Sequence, residues 1–177
     1  MAAYGVLAEY ASPADLFRAC ERVREAGYTK WDAHTPFPVH GLDRAMGMRR
    51  SVLPWIILVV GLSAAAGGFL LQWWVHDKAY PLTISGKPHF AWPAYVPITF
   101  ELGVLGGALA AVLGMFGLNQ LPRHHHPLFE IPRFARFSDD RFFISIEAGD
   151  PRFDPTATRH FLEGSGATAV ELVEEPA

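Results

Sequence analysis

Two long apolar runs, at residues 52–75 and 96–121, constrain the fold of this chain more than any other feature. Each run exceeds the roughly 20 residues that an α-helix needs to cross about 30 Å of hydrocarbon. Neither run alternates with a polar face, as a helix at the surface of a soluble protein would. The runs therefore predict two transmembrane helices, in preference to two buried helices of a soluble protein.

The distribution of basic residues predicts how these helices are oriented. The flanking arginines are Arg44, Arg49 and Arg50 before the first run, and Arg123, Arg133, Arg136 and Arg141 after the second. The connecting segment, residues 76–94, carries only Lys78 and Lys87. Because cytoplasmic loops are enriched in Lys and Arg, we expect both termini in the cytoplasm and the connecting loop outside.

The polar segment before the first run has the pattern of a strand, a helix and a second strand. Residues 4–10 are rich in strand formers. Ser12 is a typical helix N-cap, and Pro13 suits the first helical position. Gly27 is a typical C-terminal stop, and a second strand is expected at about 29–35.

The segment after the second run repeats this order. Residues 141–148 alternate as a strand, Asp154 is the expected cap of a short helix that Gly164 ends, and 168–174 form a last strand. Two βαβ halves commonly make one ferredoxin-like sandwich of four strands and two helices. The predicted fold is therefore a membrane α+β fold, in which a two-helix transmembrane hairpin is inserted into a split ferredoxin-like cytoplasmic domain.

The chain divides into seven predicted segments. They are the first βαβ half (1–35), a membrane-surface connector (36–51), transmembrane helix 1 (52–75), a periplasmic loop (76–95), transmembrane helix 2 (96–121), a cytoplasmic connector (122–140) and the second βαβ half (141–177). About a hundred residues separate the halves, so they can meet only if both emerge on the same side of the membrane. The charge distribution independently requires that arrangement.

Small residues cluster on one face of each apolar run. The predicted helix-packing residues are Gly61, Ala65 and Gly68 in the first run, and Gly103, Gly107 and Gly114 in the second. Small side chains let two helix backbones approach closely in a membrane. We therefore expect these two faces to pack against each other.

Glu101 is the only acidic residue in either run, and an ideal helical wheel places it opposite the small face. It would then face lipid or another subunit, and a carboxylate facing lipid is expensive. Against a partner it would make an inter-subunit hydrogen bond or belong to a proton relay, and the sequence leaves both open. Glu101 lies about five residues, or ~7 Å, from the expected outer end of the helix.

Residues 36–43 form a proline-punctuated motif before the first run. The candidate partner-contact residues of this connector are Pro36, Phe37, Pro38, His40 and Asp43. The prolines favour extended backbone, and Gly41 permits a turn. We expect His40 and Asp43 to hydrogen-bond or cap the turn that leads into the membrane.

Other residues give little indication of chemistry within this chain. Cys20 is the single cysteine, which excludes an internal disulfide and CxxCH haem attachment, and its place on an apolar helix stripe predicts a core residue. The three histidines at 124–126 are interpreted as a polar anchor at the inner membrane surface rather than a metal site. We expect no catalytic residue, no cofactor or metal site, and no contact with nucleic acid.

The chain resembles the D subunit of bacterial alternative complex III, the ActD family. The resemblance rests on "TPFPVHGLDRAMGMRRS" (35–51), on the split βαβ halves, and on a second run that opens with "PITFEL" (97–102). It covers nearly the whole chain.

The resemblance implies an accessory, non-catalytic subunit of a respiratory quinol-oxidising complex in the bacterial inner membrane. Its implied partners are large polysulfide-reductase-like membrane subunits that bind quinol and have proposed proton routes, together with multihaem cytochrome c and iron–sulfur subunits. Haem c and iron–sulfur clusters would lie in those partners, and this chain would contact membrane lipids. The alternative is a membrane-tethered ferredoxin-like sensory or regulatory module unrelated to respiration.

Overall fold

The computed structural model describes residues 3–174, so the ends of the predicted first and last segments (residues 1–2 and 175–177) lie outside the described residues. The chain divides into two compact units. The first contains the residues up to Arg49 together with those from His124 onward, and the second spans Arg50–Arg123.

A four-stranded antiparallel sheet forms the centre of the first unit. Its strands are β1 (Ala3–Tyr10), β2 (Trp31–His34), β3 (Phe142–Glu147) and β4 (Ala169–Glu174). The order across the sheet is β2-β3-β1-β4, and each neighbouring pair is antiparallel. The two strands of each half are therefore separated by a strand of the other half.

The described residues also form five α-helices. They are α1 (Pro13–Glu25), α2 (Leu42–Met46), α3 (Leu53–Trp73), α4 (Trp92–Leu118) and α5 (Pro155–Gly164). A π-helix, Trp74–Ala79, follows α3 directly, and two 3-10 helices lie at Pro127–Glu130 and Pro132–Ser138.

Local capping chemistry fixes where α1 and α5 begin. The Ser12 hydroxyl accepts a hydrogen bond from the backbone N–H of Asp15 at 3.2 Å, and Asp154 accepts from two backbone N–H groups at 3.0 and 2.7 Å. These predicted caps are confirmed. The predicted end of this helix at Gly164 is also confirmed, because Gly164 is the last residue of α5, and a left-handed turn follows at Gly166, with φ +99°.

Both faces of the sheet are covered. Helices α1 and α5 cover one face, where Leu16, Cys20, Val23 and Leu162 pack against Val6, Ala8, Ile144 and Ile146. Residues 127–138, here called the cover segment, lie on the other face, where Leu128 and Phe134 pack against Leu7, Phe143 and Val173. The sequence had predicted only a cytoplasmic connector here, and the structure shows that it contributes to the core of the first unit.

The second unit is an antiparallel pair of helices. The helical stretches Leu53–Ala79 and Trp92–Leu118 are both long and apolar enough to cross a membrane, and only 6% of the most apolar stretch of each is buried. A buried core helix of a soluble protein would not leave such a surface exposed. Helix α4 begins four residues before the predicted start, because Pro93 fits the first turn of a helix.

Candidate helix-packing and partner-contact site

The small faces of α3 and α4 lie in direct contact. A Cβ atom placed on Gly106 would lie 2.6 Å from the Cβ of Ala64, and one placed on Gly103 would lie 3.2 Å from the Cβ of Ala65. A Cβ on Gly61 would lie 3.3 Å from the carbonyl oxygen of Gly103. The two backbones can approach this closely only because these positions lack larger side chains.

The structure brings all six predicted helix-packing residues into this interface. Gly61, Ala65 and Gly68 of α3 face Gly103, Gly107 and Gly114 of α4 or the side chains beside them. Gly68 is covered by Leu102, and Gly114 lies against Leu53. The contact therefore runs along most of the length of the helix pair.

Gln72 joins the two helices near the loop end of the hairpin. Its side chain is 8% exposed, and its Nε2 donates towards the carbonyl oxygens of Gly68 and Tyr95 at 3.1 and 3.2 Å. The Thr99 hydroxyl oxygen lies 3.3 Å from the same nitrogen. Tyr95 is 3% exposed and stacks on His76, so it lies inside the hairpin rather than at its surface.

Glu101 is exposed and lies on the face of α4 that points away from α3. Within the described residues, its carboxylate has no hydrogen bond and no ion pair. Because α4 begins at Trp92, Glu101 lies nine residues into the helix, about 14 Å along its axis. This distance from the start of the helix is twice the ~7 Å expected from the sequence.

The connector before α3 has most of its predicted contact residues at the surface. Phe37, Pro38, His40 and Asp43 are exposed, and Pro36 is half-buried. The Phe37 ring is 52% exposed although one edge lies against Phe142, with centroids 5.5 Å apart.

The expected capping by this connector is not seen. The N-cap of α2 is Gly41, with φ +80° and no side-chain hydrogen bond. Within residues 3–174, the side chains of His40 and Asp43 make no hydrogen bond. Both side chains thus remain available at the surface.

A buried carboxylate beneath the cover segment was missed by sequence reasoning. Glu9 is 4% exposed, and its oxygens lie 3.0 Å from Arg133 Nη1 and 3.4 Å from Arg141 Nε. Arg133 also pairs with Glu171 at 2.8 Å. The sequence indicates only inner-surface charges for these arginines, whereas Arg133 joins the cover segment to Glu9 of β1 and Glu171 of β4. The available signal was an acid in a strand that is otherwise apolar on both faces.

Two histidines lie beneath or beside the cover segment. The Nε2 of His34 is 3.1 Å from the Ser145 hydroxyl, and its ring meets Phe134 edge-on at 5.1 Å. Burial lowers the pKa of His34, and nearby His126 lowers it further while Asp32 opposes the change. The Nε2 of His126 is 3.1 Å from the Tyr4 hydroxyl, so this histidine belongs to the packed unit and not only to a surface anchor.

Asp150 connects the two halves of the sheet unit. Its carboxylate accepts hydrogen bonds from the backbone N–H groups of Thr29, Lys30 and Arg152 at 2.6, 2.7 and 2.8 Å. Burial by itself would raise the pKa of Asp150, but these bonds outweigh it, and the pKa lies below its ordinary value.

Cys20 lies in the core beneath the sheet, as predicted. Burial raises the pKa of its thiol to about 12, so almost no reactive thiolate exists at neutral pH. Cys20 therefore serves packing rather than redox chemistry.

Comparison with known proteins adds one decisive finding. The family model for the ActD subunit of alternative complex III matches residues 4–172. The chain belongs to the ActD family. The resemblance seen in the sequence is thereby confirmed, and this ActD-family chain is a subunit of alternative complex III with partner subunits in that complex. A search of curated proteins found no match to the chain.

Proposed function

We propose that this ActD-family chain is a non-catalytic accessory subunit of a respiratory quinol-oxidising complex. Its hairpin packs beside a large polysulfide-reductase-like membrane subunit that binds quinol. This chain orders helices and loops next to the quinol and proton machinery of that subunit, while the haem c and iron–sulfur centres lie in multihaem cytochrome and iron–sulfur partners. Electron transfer is assigned to the partners.

The exposed apolar surface of the hairpin is the observation that carries this proposal. Large side chains on both helices, such as Leu62, Leu113 and Phe100, are 63–70% exposed. Surface of this kind needs lipid or protein around it. In a chain whose family is a subunit of a larger complex, membrane-embedded partners account for part of that surface.

We place the chain in the bacterial inner membrane with both termini in the cytoplasm. The arginines that flank the hairpin, Arg49, Arg50 and Arg123, support this side assignment. The sheet unit then lies in the cytoplasm, where it covers the inner face of a large subunit. The proposed contact regions are residues 35–51, which include exposed Phe37, and residues 122–137, which include most of the cover segment.

We also propose that the sheet unit is a single ferredoxin-like domain split by the hairpin. The strand order β2-β3-β1-β4, its antiparallel pairing and the placement of α1 and α5 on one face all support this assignment. Fold alone does not define function, so the family match carries more weight than the topology.

A deletion strain tests the accessory role. The rest of the complex is produced without this chain, and the amount of assembled complex, its haem and iron–sulfur spectra and its quinol oxidation per haem are measured. We expect less assembled complex, with unchanged spectra per particle. Loss of a haem or cluster signal from otherwise intact particles would show that this chain holds a cofactor and would overturn the proposal.

A further inference from the structure

Helix α4 carries two stripes on opposite faces. The first stripe consists of small residues, and α3 packs against it. The second consists of Glu101, Leu105, Ala108, Val112 and Met115, here called the Glu101 stripe, and all five residues are exposed. Their spacing of four, three, four and three residues follows the 3.5-residue average of left-handed helix pairs. The stripe therefore has the pattern by which one helix packs along another.

The position of Glu101 within a helix long and apolar enough to cross a membrane makes lipid a poor neighbour for this stripe. Glu101 lies six residues, about 9 Å, beyond Tyr95, which stacks with His76 at the loop end of the hairpin. Acyl chains supply no hydrogen bond, and lipid phosphates carry the same charge as a carboxylate. The polar groups of the hairpin interior, Gln72 and Thr99, hydrogen-bond on the opposite face of α4. Within residues 3–174, no side chain donates a hydrogen bond to Glu101, which favours a donor from another subunit.

A second copy of the chain fits this face poorly. Two-fold pairing through the stripe would bring equivalent residues together and place Glu101 against Glu101. Two carboxylates in one apolar site cannot both ionise without a large cost. The chemistry instead favours a different helix that offers a donor.

We propose that the Glu101 stripe packs against one transmembrane helix of another subunit, and that a donor side chain of that helix hydrogen-bonds Glu101. The helices cross at about +20°, as in other left-handed pairs. This inference rests on the proposed function, because it assigns a surface to the partner contact. Glu101 then acts as a structural anchor rather than as a proton relay.

An apolar groove beside Phe100 is the competing surface. It has a volume of about 550 Å³ and lies between α3 and α4, where Leu58, Leu62 and Val104 contribute to its walls. Phe100 precedes Glu101 by one residue and is therefore turned by about 100° on the helix. A partner helix seated in this groove would leave Glu101 without a donor.

Site-specific photo-crosslinking in native membranes distinguishes these surfaces. A photoreactive amino acid replaces Leu105, Ala108 or Val112 on the stripe, or Phe100 or Leu109 away from it, in the assembled complex. The control positions are as exposed as the stripe, at 70% for Phe100 and 53% for Leu109. We expect adducts with one partner subunit at the stripe positions, at least several-fold above the controls. Equal yields, or the highest yield at Phe100, would overturn the inference.

Two substitutions at Glu101 test the hydrogen bond. Glu101→Leu removes every acceptor, and we expect this subunit to dissociate roughly 3- to 20-fold faster from the detergent-solubilised complex. Glu101→Gln keeps a side-chain acceptor and should retain most of the native lifetime, with unchanged proton translocation per quinol oxidised. A Leu variant as long-lived as the native complex, or a Gln variant with intact assembly but lost translocation, would contradict the anchor role.

These experiments separate failure of the interface from failure of the proposed function. If no other subunit co-purifies with the native chain, the accessory role itself fails. If partners co-purify but the stripe positions give no more adduct than the control positions, only the interface assignment is overturned.

Discussion

At the scale of single residues, the Asp150 carboxylate has a large structural effect. It satisfies three backbone N–H groups, two of them in the segment between α1 and β2. Asp150→Ala would leave these groups without their acceptor, and we expect the first unit to lose about 1–3 kcal/mol of unfolding free energy. Denaturant unfolding of the purified chain measures this loss.

Asp139→Ala is the matched control, since Asp139 is exposed, and it should change stability by less than ~0.5 kcal/mol. Equal effects of the two substitutions would contradict this role of Asp150.

His34 makes the unfolding free energy of the first unit depend on pH in the mildly acidic range. Its pKa in the folded state is lowered, so the unfolded chain binds a proton more readily. The stability that neutral His34 contributes is therefore complete above its unfolded pKa of about 6.5 and is lost as the pH falls towards the folded pKa.

A His34→Gln variant tests this dependence, because glutamine can still hydrogen-bond Ser145. We expect the native chain to lose more unfolding free energy than the variant when the pH falls from 7.5 to 5.5. Asp32 and His126 lie near this position in both proteins, so the difference between the two curves is the relevant quantity. Parallel curves would show that His34 does not contribute.

At the scale of secondary-structure elements, the closeness of α3 and α4 depends on glycine. Gly106→Ala would place its Cβ 2.6 Å from the Cβ of Ala64, which no side-chain rotation can relieve. Gly117→Ala, on the same helix, would meet nothing within 4 Å. We expect Gly106→Ala to lower the thermal stability of the hairpin in detergent. Gly117→Ala should leave that stability unchanged or slightly higher, because alanine favours helix. Equal melting temperatures would contradict the close packing.

Arg133 supplies ion pairs that join the cover segment to the sheet, in addition to the apolar packing of Leu128 and Phe134. Arg133→Ala leaves the buried Glu9 with Arg141 alone, at 3.4 Å. Loss of one partner from a buried carboxylate is destabilising. We therefore expect faster limited proteolysis within residues 127–138. Arg136→Ala is the control, because Arg136 pairs with exposed Asp140 instead. Equal cleavage rates in the two variants would show that Arg133 does not hold the segment.

Elements with local signals could be predicted from the sequence, and elements defined by distant contacts could not. The caps at Ser12 and Asp154 and the two apolar helices follow from residues close in sequence. The cover segment has no helical or alternating period, and its burial depends on β1, β3 and β4. The predicted second helix begins at Val96, where the continuous apolar run begins, and therefore lacks the first turn of α4.

The same division holds for the candidate site. The contact between small faces followed from helical periodicity, since every residue concerned lies on one of two regular helices. The pairing of Glu9 with Arg133 spans 124 residues, and no local pattern indicates it. The inserted hairpin hides this contact from sequence reasoning, because it lies between the paired residues in the chain.

At the scale of the whole molecule, the proposed membrane orientation can be tested by labelling. Native Cys20 is buried, so it gives little background with a membrane-impermeant maleimide. In intact spheroplasts we expect Ser85→Cys in the connecting loop to react, while Glu25→Cys on α1 reacts only after the cells are permeabilised. The opposite pattern would invert the orientation, and labelling of both sites in intact cells would contradict a membrane-spanning hairpin.

The most direct test of the central claim is the subunit composition of the particle that contains this chain. The tagged chain is purified from membranes in a gentle detergent and examined by mass spectrometry and haem spectroscopy. We predict fixed stoichiometry with large membrane subunits, a multihaem cytochrome c and an iron–sulfur subunit. Recovery of the chain as a stable, isolated homo-oligomer without these partners would contradict the account.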